Sequence, residues 1–313
     1  MRGRFAPSPT GYLHLGNART ALLAWLQVRA AGGQFLLRVE DLDAGRCRQD
    51  YVDALFRDLE YLGLSFDEAP VFQSQRGEAY EEALWTLREK GLVYPCFCSR
   101  AEIARMASAP HGPHDDGPRY PGTCRRLTPD EVSARAQERA KAYRFVAPSS
   151  PLAFFDGLLG PTSSNVQEDT GDFVVFRQGQ GASYQLAVVV DDAASGISHV
   201  LRGEDLLSST ARQLALYQAL GKPGPEFVHV PLVLGENLQR MAKRHGASSV
   251  KGLREAGVPA EEVLGLLASW SGLSDGRPVS ARELVGVFSL EKVSKKAPIA
   301  REDALDALLR GAR

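Results

Sequence analysis

The chain has 313 residues, of which 44% are hydrophobic and 24% charged, and its formal net charge is −1. This is the composition of a globular protein, and a charge so close to zero excludes a global positive field for nucleic acid, so an RNA partner would need one basic face. Four cysteines in so long a chain exclude a disulfide framework, and we find neither a leader nor an apolar run of roughly 18 residues, so we expect a cytoplasmic protein without membrane contact.

The first ninety residues alternate between strand and helix patterns. In chain order we predict a short strand around Phe5 and Ala6, a turn over 7–11, a helix over 17–31, a buried strand over 34–39, and amphipathic helices over 49–62 and 78–90. Strands that alternate with helices indicate a parallel sheet, in which ligands bind at the C-terminal ends of the strands. The predicted fold class is therefore α/β.

From residue 94 to residue 143 the pattern changes. Cysteines appear first, a loop rich in Pro, Gly and His follows over 108–122, and Thr128-Pro-Asp-Glu131 forms a capping box that begins a helix. Residues 119–144 carry four more basic than acidic side chains, which indicates either a solvated helix face or an RNA contact. We interpret 94–143 as an insertion that divides the α/β domain into residues 1–93 and 144–245.

Strand patterns return after the insertion. They are predicted over 173–177, 184–190, 198–202 and 227–234, and a helix is predicted over 210–220. Residues 246–313 are predicted to form a tail of short helices, the clearest of which covers 260–270.

Residues 4–17 read Arg-Phe-Ala-Pro-Ser-Pro-Thr-Gly-Tyr-Leu-His-Leu-Gly-Asn and carry the first chemical motif. A strand, a turn rich in Pro and Gly, and a helix start bring unpaired backbone N–H groups and the positive end of a helix dipole to one point, which suits a phosphate. Gly11 and Gly16 allow the backbone to approach a ligand closely, and His14 could donate a hydrogen bond to a phosphoryl oxygen. Alone this motif is weak, because a single histidine in such a loop is more often structural.

Further segments follow in the order of the motifs of a known family. Residues 4–17 resemble the signature of class I aminoacyl-tRNA synthetases of the glutamyl type, and residues 38–43 resemble its Arg-Ile-Glu-Asp segment. Residues 184–192 and 199–205 resemble its amino-acid-binding strands, and residues 239–247 its Lys-Met-Ser-Lys-Ser loop. The resemblance implies a Rossmann-like class I synthetase catalytic domain with a parallel sheet, a zinc-containing insertion and a short helical C-terminal tail.

The resemblance also implies which residues bind the substrates. Arg4 and Arg202 would grip the carboxylates of glutamate, Glu40 its ammonium group, and Lys243 the phosphates as pyrophosphate separates. The implied glutamate site consists of Arg4, Phe5, Ala6, Pro7, Ser8, Glu40, Tyr184 and Arg202. The implied ATP site consists of His14, Gly16, Asn17, Arg240 and Lys243, of which His14 and Lys243 are the catalytic residues. Without the resemblance, surface ion pairs explain Arg4, Arg202 and Lys243, and a core position explains Tyr184.

Two positions bear on specificity and rate. Arg202 favours glutamate over glutamine, because a fixed cation that faces a neutral amide keeps its charge uncompensated. The 239–247 loop has Arg240 where lysine is usual in the family and Ala242 where serine is usual. Since arginine keeps the positive charge and Lys243 remains, we expect an active enzyme, and the sequence leaves open how the two substitutions affect the geometry of the loop and the rate.

Cys96 and Cys98, together with Cys124 beyond the loop, indicate either a group of buried thiols or a tetrahedral zinc site. The resemblance extends to the zinc site of shortened glutamyl enzymes, in which a tyrosine is the fourth ligand. It implies one zinc ion per chain, held by Cys96, Cys98, Tyr120 and Cys124. His111 and His114 remain alternatives for the fourth ligand.

The chain ends before the helical anticodon-binding domain of an ordinary glutamyl-tRNA synthetase, and we expect that domain to be missing. This shortened plan resembles the glutamyl-queuosine tRNA(Asp) synthetases. The resemblance implies activation of glutamate by ATP with Mg²⁺ and transfer of glutamate to queuosine in the anticodon loop of tRNA(Asp). The alternatives are a shortened enzyme that charges the 3′ end of a tRNA and a non-catalytic paralogue that binds an amino acid or RNA. No sequence feature indicates an obligate protein partner.

Overall fold

The computed structural model describes residues 1–106, 119–239 and 249–311, and the strands in these ranges form three sheets. The strands are β1 (Arg2–Phe5), β2 (Gln34–Val39), β3 (Val71–Phe72), β4 (Val93–Cys96), β5 (Ala142–Phe145), β6 (Leu152–Asp156), β7 (Gly160–Ser164), β8 (Phe173–Arg177), β9 (Gly181–Ala182), β10 (His199–Gly203), β11 (Glu226–Val230), β12 (Leu234–Gly235) and β13 (Ile299–Ala300). The helices are α1 (Leu15–Ala30), α2 (Gln49–Tyr61), α3 (Gly77–Glu89), α4 (Arg100–Met106), α5 (Pro129–Glu138), α6 (Val166–Asp169), α7 (Tyr184–Ala194), α8 (Leu207–Leu220), α9 (Val250–Glu255), α10 (Ala260–Trp270), α11 (Ala281–Val287) and α12 (Glu302–Gly311).

The largest sheet has the strand order β3-β2-β1-β10-β11-β6-β7. Its first six strands run parallel, and β7 returns antiparallel to β6 as a hairpin at one edge. From β1 the chain moves to β2 and β3 on one side and comes back to β10 on the other, so the strand order reverses between β1 and β10. Such a reversal opens a ligand crevice at the C-terminal ends of the strands. The predicted parallel α/β sheet is confirmed.

Both faces of this sheet are covered, because side chains alternate in direction along a strand. In β2, Phe35 and Leu37 belong to the core that the sheet shares with α1, α2 and the tail helices, whereas Leu36 lies in a separate core on the other face. In β10, Leu201 belongs to the first core and Val200 to the second. The sheet is therefore the middle layer of a three-layer domain.

The second sheet is antiparallel and has the strand order β4-β5-β8-β9. Strand β5 pairs with β4 on one side and with β8 on the other, so its hydrogen bonds join the chain before residue 143 to the chain after it. A core that includes Tyr80 and Phe173 attaches this sheet to α3, α7 and α8. Helix α5 begins at the predicted capping box, in which the Thr128 hydroxyl accepts a hydrogen bond from the N–H of Glu131.

The tail packs against α1 and the largest sheet. Val250 and Leu253 of α9, Leu267 of α10 and Leu284 of α11 are buried in the same core as α1, and α10 covers the range predicted from the sequence. The short parallel pair β12–β13 joins the end of the α/β region to the tail. In the three described ranges, no helix is both long enough and apolar enough to span a membrane.

Two predicted strands differ from the structure. Residues 184–190 are helical and begin α7, which is buried on nearly all sides; a continuous apolar run does not distinguish a buried helix from a buried strand. The strand predicted over 227–234 ends at Val230, because Pro231 has no N–H to donate to the sheet. Leu234 instead belongs to β12. The hairpin β6–β7 was not predicted.

Candidate active site

A cavity of about 350 Å³ opens at the C-terminal ends of β1, β2 and β10. The loop between β1 and α1 forms one wall, Glu40 follows β2, Arg202 belongs to β10, and Tyr184 begins α7. The predicted site residues that line the cavity are Arg4, Phe5, Ala6, Pro7, Ser8, His14, Asn17, Glu40, Tyr184 and Arg202. The structure therefore brings the described members of both predicted substrate sites to one crevice, with Gly16 directly behind His14.

The loop between β1 and α1 ends at a helix N-terminus. His14 is the N-cap of α1, and its Nδ1 accepts a hydrogen bond of 3.2 Å from the backbone N–H of Asn17. A Cβ atom on Gly16 would lie 3.1 Å from Nδ1 of His14, so glycine leaves room for the imidazole ring. Because Nδ1 is an acceptor here, the neutral ring carries its proton on Nε2. The positive end of the helix dipole and the Nε2–H group of His14 suit an anion in the cavity.

Four charged side chains form a buried network beside the cavity. Nε of Arg4 lies 3.2 Å from Oδ1 of Asp192, and Nη1 of Arg38 lies 2.5 Å from the same oxygen. Nη2 of Arg38 lies 3.2 Å from Oε1 of Glu40. Burial opposes ionisation of Asp192, yet Arg38 and Arg4 hold the pKa of its carboxyl group below the usual value. Asp192 is thus the counterion that both arginines share.

The pKa of Glu40 is shifted in the opposite direction from that of Asp192. Burial raises the pKa of Glu40, and the attraction of Arg38 and Arg4 only partly opposes this effect. Its Oε1 accepts from Arg38, whereas Oε2 has no hydrogen-bond partner among the residues that the structure describes. Since Glu40 lines the cavity, an ammonium group bound there would face Oε2 and favour the ionised carboxylate.

Arg202 is only 4% exposed, and its partners are neutral. Nε donates to Nε2 of His229 at 3.0 Å, Nη1 to Oε1 of Gln213 at 2.7 Å, and Nη2 to Oγ1 of Thr210 at 2.9 Å. No carboxylate in the described ranges lies within ion-pair distance of this guanidinium. Burial consequently lowers the pKa of Arg202. Arg4 is equally buried, at 5%, so a surface ion pair explains neither arginine.

The charges buried around Arg202 do not cancel. With both acids ionised, Arg4, Arg38 and Arg202 exceed Asp192 and Glu40 by one positive charge. The neighbouring Asp191 is paired with Arg76, and Asp205, the other acid of the cavity lining, is exposed, so water screens its charge. An amino acid with a second carboxylate has one net negative charge at neutral pH, whereas the corresponding amide is neutral. The electrostatics of the site therefore favour the dicarboxylic amino acid.

Some residues of the cavity were not indicated by the sequence. Tyr12 and Tyr51 both line it, and their rings form an edge-to-face pair with centroids 5.0 Å apart. Tyr51 belongs to α2, which only tertiary packing brings to the loop, so no sequence signal was available. Asp192 could have been found, because an acid at the end of an apolar run needs a buried partner. Arg240, Ala242 and Lys243 lie outside the described residues.

A second group of candidate ligands lies at the end of β4. The sulfur atoms of Cys96, Cys98 and Cys124 are within 4.8 Å of one another, and those of Cys98 and Cys124 are 3.5 Å apart. Oη of Tyr120 lies 3.4 Å from Sγ of Cys96 and 3.8 Å from Sγ of Cys98. Three sulfur atoms and one phenolic oxygen thus lie close enough together to be the four ligands of a single metal ion. His111 and His114 are not among the described residues.

Burial raises the pKa of the Cys98 thiol to about 12 and also raises that of the Tyr120 hydroxyl, so these ligand atoms ionise only with help from nearby donors and a cation. Nε of Arg144 donates to Sγ of Cys96 at 3.2 Å, and its guanidinium lies 3.7 Å from the centre of the Tyr120 ring. Oη of Tyr120 accepts a hydrogen bond of 2.9 Å from the backbone N–H of Cys124. A thiolate and a phenolate are stabilised by such donors, so the residues present fit a cation.

The fold and the crevice agree with the comparisons to known proteins. Residues 1–307 match the family model of tRNA synthetases class I (E and Q), catalytic domain, so the chain belongs to this family and is a ligase. It is 51% identical over 304 residues to the Glutamyl-Q tRNA(Asp) synthetase of Symbiobacterium thermophilum, with 94% of each chain covered. It is 41% identical over 315 residues to the glutamate–tRNA ligase of Aquifex aeolicus, with 97% of this chain and 65% of that protein covered. The crystal structure of a glutamate tRNA ligase from Elizabethkingia meningosepticum, in complex with its amino acid, has a TM-score of 0.83 at 28% identity and covers 98% of this chain and 68% of that one.

Proposed function

We propose that the protein activates glutamate with ATP and transfers it to queuosine in the anticodon loop of tRNA(Asp). The observation that carries the proposal is the buried Arg202, which lines the cavity and has only neutral partners among the described residues. Glutamate supplies the one net negative charge that the site lacks. A tRNA acceptor would place the reaction in the cytoplasm.

The charged residues of the cavity receive the two ends of glutamate in this proposal. Glu40 pairs with the ammonium group, since Oε2 has no other partner within the described ranges. Arg202 binds one carboxylate, and Arg4 contributes to the other, because its two hydrogen bonds to Asp192 use Nε and Nη2 and leave Nη1 available. Tyr184 lines the same wall and offers a hydroxyl group.

Activation joins two anions, so the site must neutralise charge and align the attack. A carboxylate oxygen of glutamate attacks the α-phosphorus of ATP, and the bond to the leaving pyrophosphate breaks. No general base is needed, because the attacking carboxylate is already ionised. The N-terminus of α1 and Nε2–H of His14 are placed for the phosphates, with Gly16 and Asn17 beside them. Arg240 and Lys243 are proposed to assist from the 239–247 loop, and Mg²⁺ would accompany the nucleotide.

We assign zinc to the cysteine cluster. Zinc–sulfur bonds of about 2.3 Å at tetrahedral angles set two sulfur ligands about 3.8 Å apart, and the separation of 3.5 Å between Cys98 and Cys124 is close to this value. Tyr120 takes the fourth position, because its Oη lies 3.4 Å and 3.8 Å from two of the sulfur atoms. When bound, zinc would cross-link β4 to the segment around Cys124 and so fix the insertion.

Queuosine as the acceptor is supported by the relatives. The protein from Symbiobacterium thermophilum is named for this reaction, and the likeness extends over nearly the whole of both chains. The likeness to glutamate–tRNA ligases supports the alternative acceptor, the 3′ end of a tRNA, over a smaller share of those proteins. The two acceptors are distinguished by the site of attachment.

The test maps where labelled glutamate is attached. Purified protein should first catalyse glutamate-dependent exchange of pyrophosphate into ATP without RNA. It should then label tRNA(Asp) that contains queuosine, and the label should remain after enzymatic removal of the 3′-terminal adenosine. An unmodified tRNA(Asp) transcript is the matched control and should stay unlabelled. Labelling of unmodified tRNA(Glu) that periodate oxidation of its 3′ end prevents would show the alternative acceptor, and the absence of both exchange and labelling would show a non-catalytic paralogue.

A further inference from the structure

Arg202 is attached to a line of hydrogen bonds that crosses three adjacent strands. Nε of Arg202 on β10 donates to Nε2 of His229 on β11, its direct register partner, at 3.0 Å. Nδ1 of His229 lies 2.6 Å from Oδ2 of Asp156, the last residue of β6. Both His229 and Asp156 are fully buried, and the described lining of the cavity includes neither. They can therefore act on a ligand only through Arg202.

The contacts determine which nitrogen of His229 carries the proton. Nε2 faces the Nε–H of Arg202, so a proton on Nε2 would point directly at another donor. The hydroxyl of Thr210 accepts from Nη2 of Arg202 at 2.9 Å and lies 3.2 Å from Nε2 of His229, so its own proton is directed to that nitrogen. The Arg202 contact requires Nε2 to be an acceptor, and the Thr210 contact is consistent with it. The neutral ring consequently carries its proton on Nδ1 and donates it to Asp156.

Asp156 is itself held in place by backbone donors. Its Oδ1 accepts from the N–H groups of Leu158 and Leu159 at 3.0 and 2.9 Å, in the turn of the β6–β7 hairpin. The backbone N–H of His229 lies 3.1 Å from Oδ2. Burial works against its ionisation, but the hydrogen bonds from His229 and from the turn hold the pKa of Asp156 below its usual value. Burial also lowers the pKa of His229, so the imidazole remains neutral.

We propose that Asp156 and His229 are positioning residues, which orient Arg202 towards a ligand carboxylate and leave its charge available. A carboxylate in direct contact with Arg202 would orient it equally well but would neutralise it. A neutral imidazole between the carboxylate and the guanidinium gives orientation without an adjacent counterion. The inference rests on the proposed function, because it takes glutamate as the ligand of Arg202. It gives the unpredicted β6–β7 hairpin a part in amino-acid selection.

The chain of hydrogen bonds from Asp156 through His229 to Arg202 is called the relay below. Asp156→Asn tests it with almost no change in the shape of the side chain. The amide oxygen must take the backbone N–H groups of Leu158 and Leu159 and also that of His229, which already lies 3.3 Å from Oδ1, so the amide nitrogen faces Nδ1 of His229 and donates to it. The ring proton then moves to Nε2, where it opposes Arg202. We expect KM for glutamate in pyrophosphate exchange to rise about ten- to a hundredfold, the scale of one lost hydrogen bond to a charged group. KM for ATP should be unchanged, and preference for glutamate over glutamine should fall.

The tautomer of His229 provides a second measurement, which would not change if Asp156 only stabilised the fold. In ¹⁵N spectra of histidine-labelled protein, the signal of His229 should change from the Nδ1–H form to the Nε2–H form in Asp156→Asn. His199→Gln is the matched control, because His199 lies on β10 three residues before Arg202 but contacts Ser198 and Glu226. Its KM for glutamate should equal that of the parent.

Arg202→Ala separates this inference from the proposed function. If Arg202→Ala leaves glutamate-dependent exchange unchanged, the proposed function fails. If Arg202→Ala raises KM for glutamate but Asp156→Asn does not, only the relay is overturned. Should Asp156→Asn not fold, His229→Gln replaces it, since the glutamine side chain breaks the link to Asp156. A raised KM for glutamate in His229→Gln supports the relay, and an unchanged KM overturns it.

Discussion

The buried arginines of the site differ in what neutralises them. Arg4 and Arg38 share Asp192, and Arg38 also pairs with Glu40, whereas Arg202 is bonded to neutral groups. A desolvated cation without a counterion attracts a ligand carboxylate more strongly than one that is already paired. In the proposed function, selection of glutamate over glutamine therefore depends most on Arg202.

Arg202→Ala is expected to lower kcat/KM for glutamate roughly 30- to 5,000-fold, which corresponds to about 2 to 5 kcal/mol, because it removes one partner of a buried charge pair. Pyrophosphate exchange at varied glutamate concentration measures the effect. Arg277→Ala is the matched control, since Arg277 is an exposed arginine that pairs with Asp275. A variant that exchanges as well as the parent would show that glutamate binds elsewhere.

The sequence indicated the charged residues of the site but not the residues that bind to them. Arg4, Glu40 and Arg202 were indicated because each lies in a segment that resembles a family motif, and the structure places all three at one cavity. Their partners were not indicated. Asp192 on α7 is 188 residues from Arg4 in the chain, and His229 is 27 residues from Arg202, so only the folded domain brings these pairs together.

The secondary-structure elements that were predicted wrongly or missed have physical explanations. Residues 184–190 form the start of α7 rather than a strand, because full burial removes the polar positions that reveal a helix by their spacing. The hairpin β6–β7 was missed because β7 reads Gly-Pro-Thr-Ser-Ser and has no apolar side. A strand at the edge of a sheet tolerates proline and polar residues, so its sequence resembles a loop.

The cysteine cluster gives a prediction for the insertion. Cys98→Ser should reduce bound zinc from one per chain to much less and should loosen the segment around β4 and Cys124, because metal binding and local folding are coupled. Glutamate activation should fall less than transfer to RNA, since the cluster lies apart from the crevice of the main sheet. Elemental analysis measures the bound zinc, and hydrogen exchange measures the loosening. Pyrophosphate exchange and the labelling of tRNA measure activation and transfer.

Cys47→Ser is the matched control for this variant. Cys47 is a free thiol remote in sequence from the cluster, and among the described residues its sulfur forms a hydrogen bond only to the carbonyl oxygen of Glu40. The control should keep its zinc and its hydrogen-exchange pattern. Parent protein that contains no zinc after purification without chelator would contradict the assignment of the metal.

At the scale of the whole molecule, the tail is attached directly to the elements that form the crevice. The N–H of Val250 donates to the carbonyl of Leu13 at 2.9 Å, so the segment before α9 is paired with the loop that ends at His14. Nε of Arg254 on α9 lies 3.1 Å from Oδ1 of Asp58 on α2. Since α2 also contributes Tyr51 to the cavity, this ion pair connects the tail with a wall of the site.

Asp58 makes this connection sensitive to pH. The carboxyl group is fully buried, and Oδ2 has no hydrogen-bond partner among the described residues. Burial raises its pKa to about 6, despite the opposing hydrogen bond and charge of Arg254 and the charge of Lys251. The folded protein therefore binds this proton more tightly than the unfolded chain, whose aspartates titrate near pH 4. The resulting stability is fully present below about pH 4 and is lost as the pH rises through about 6.

We therefore predict that Asp58→Asn changes how the free energy of unfolding depends on pH. The parent should gain about 1 kcal/mol from this group when the pH is lowered from 7.5 to 5, and the amide cannot. The difference in unfolding free energy between Asp58→Asn and the parent should consequently shift in favour of the variant by that amount as the pH rises from 5 to 7.5. Urea unfolding at several pH values measures it, and Asp53→Asn, which alters an exposed carboxylate of the same helix, is the matched control. If the difference between Asp58→Asn and the parent is the same at every pH, Asp58 is ionised throughout this range and the buried pair does not respond to pH.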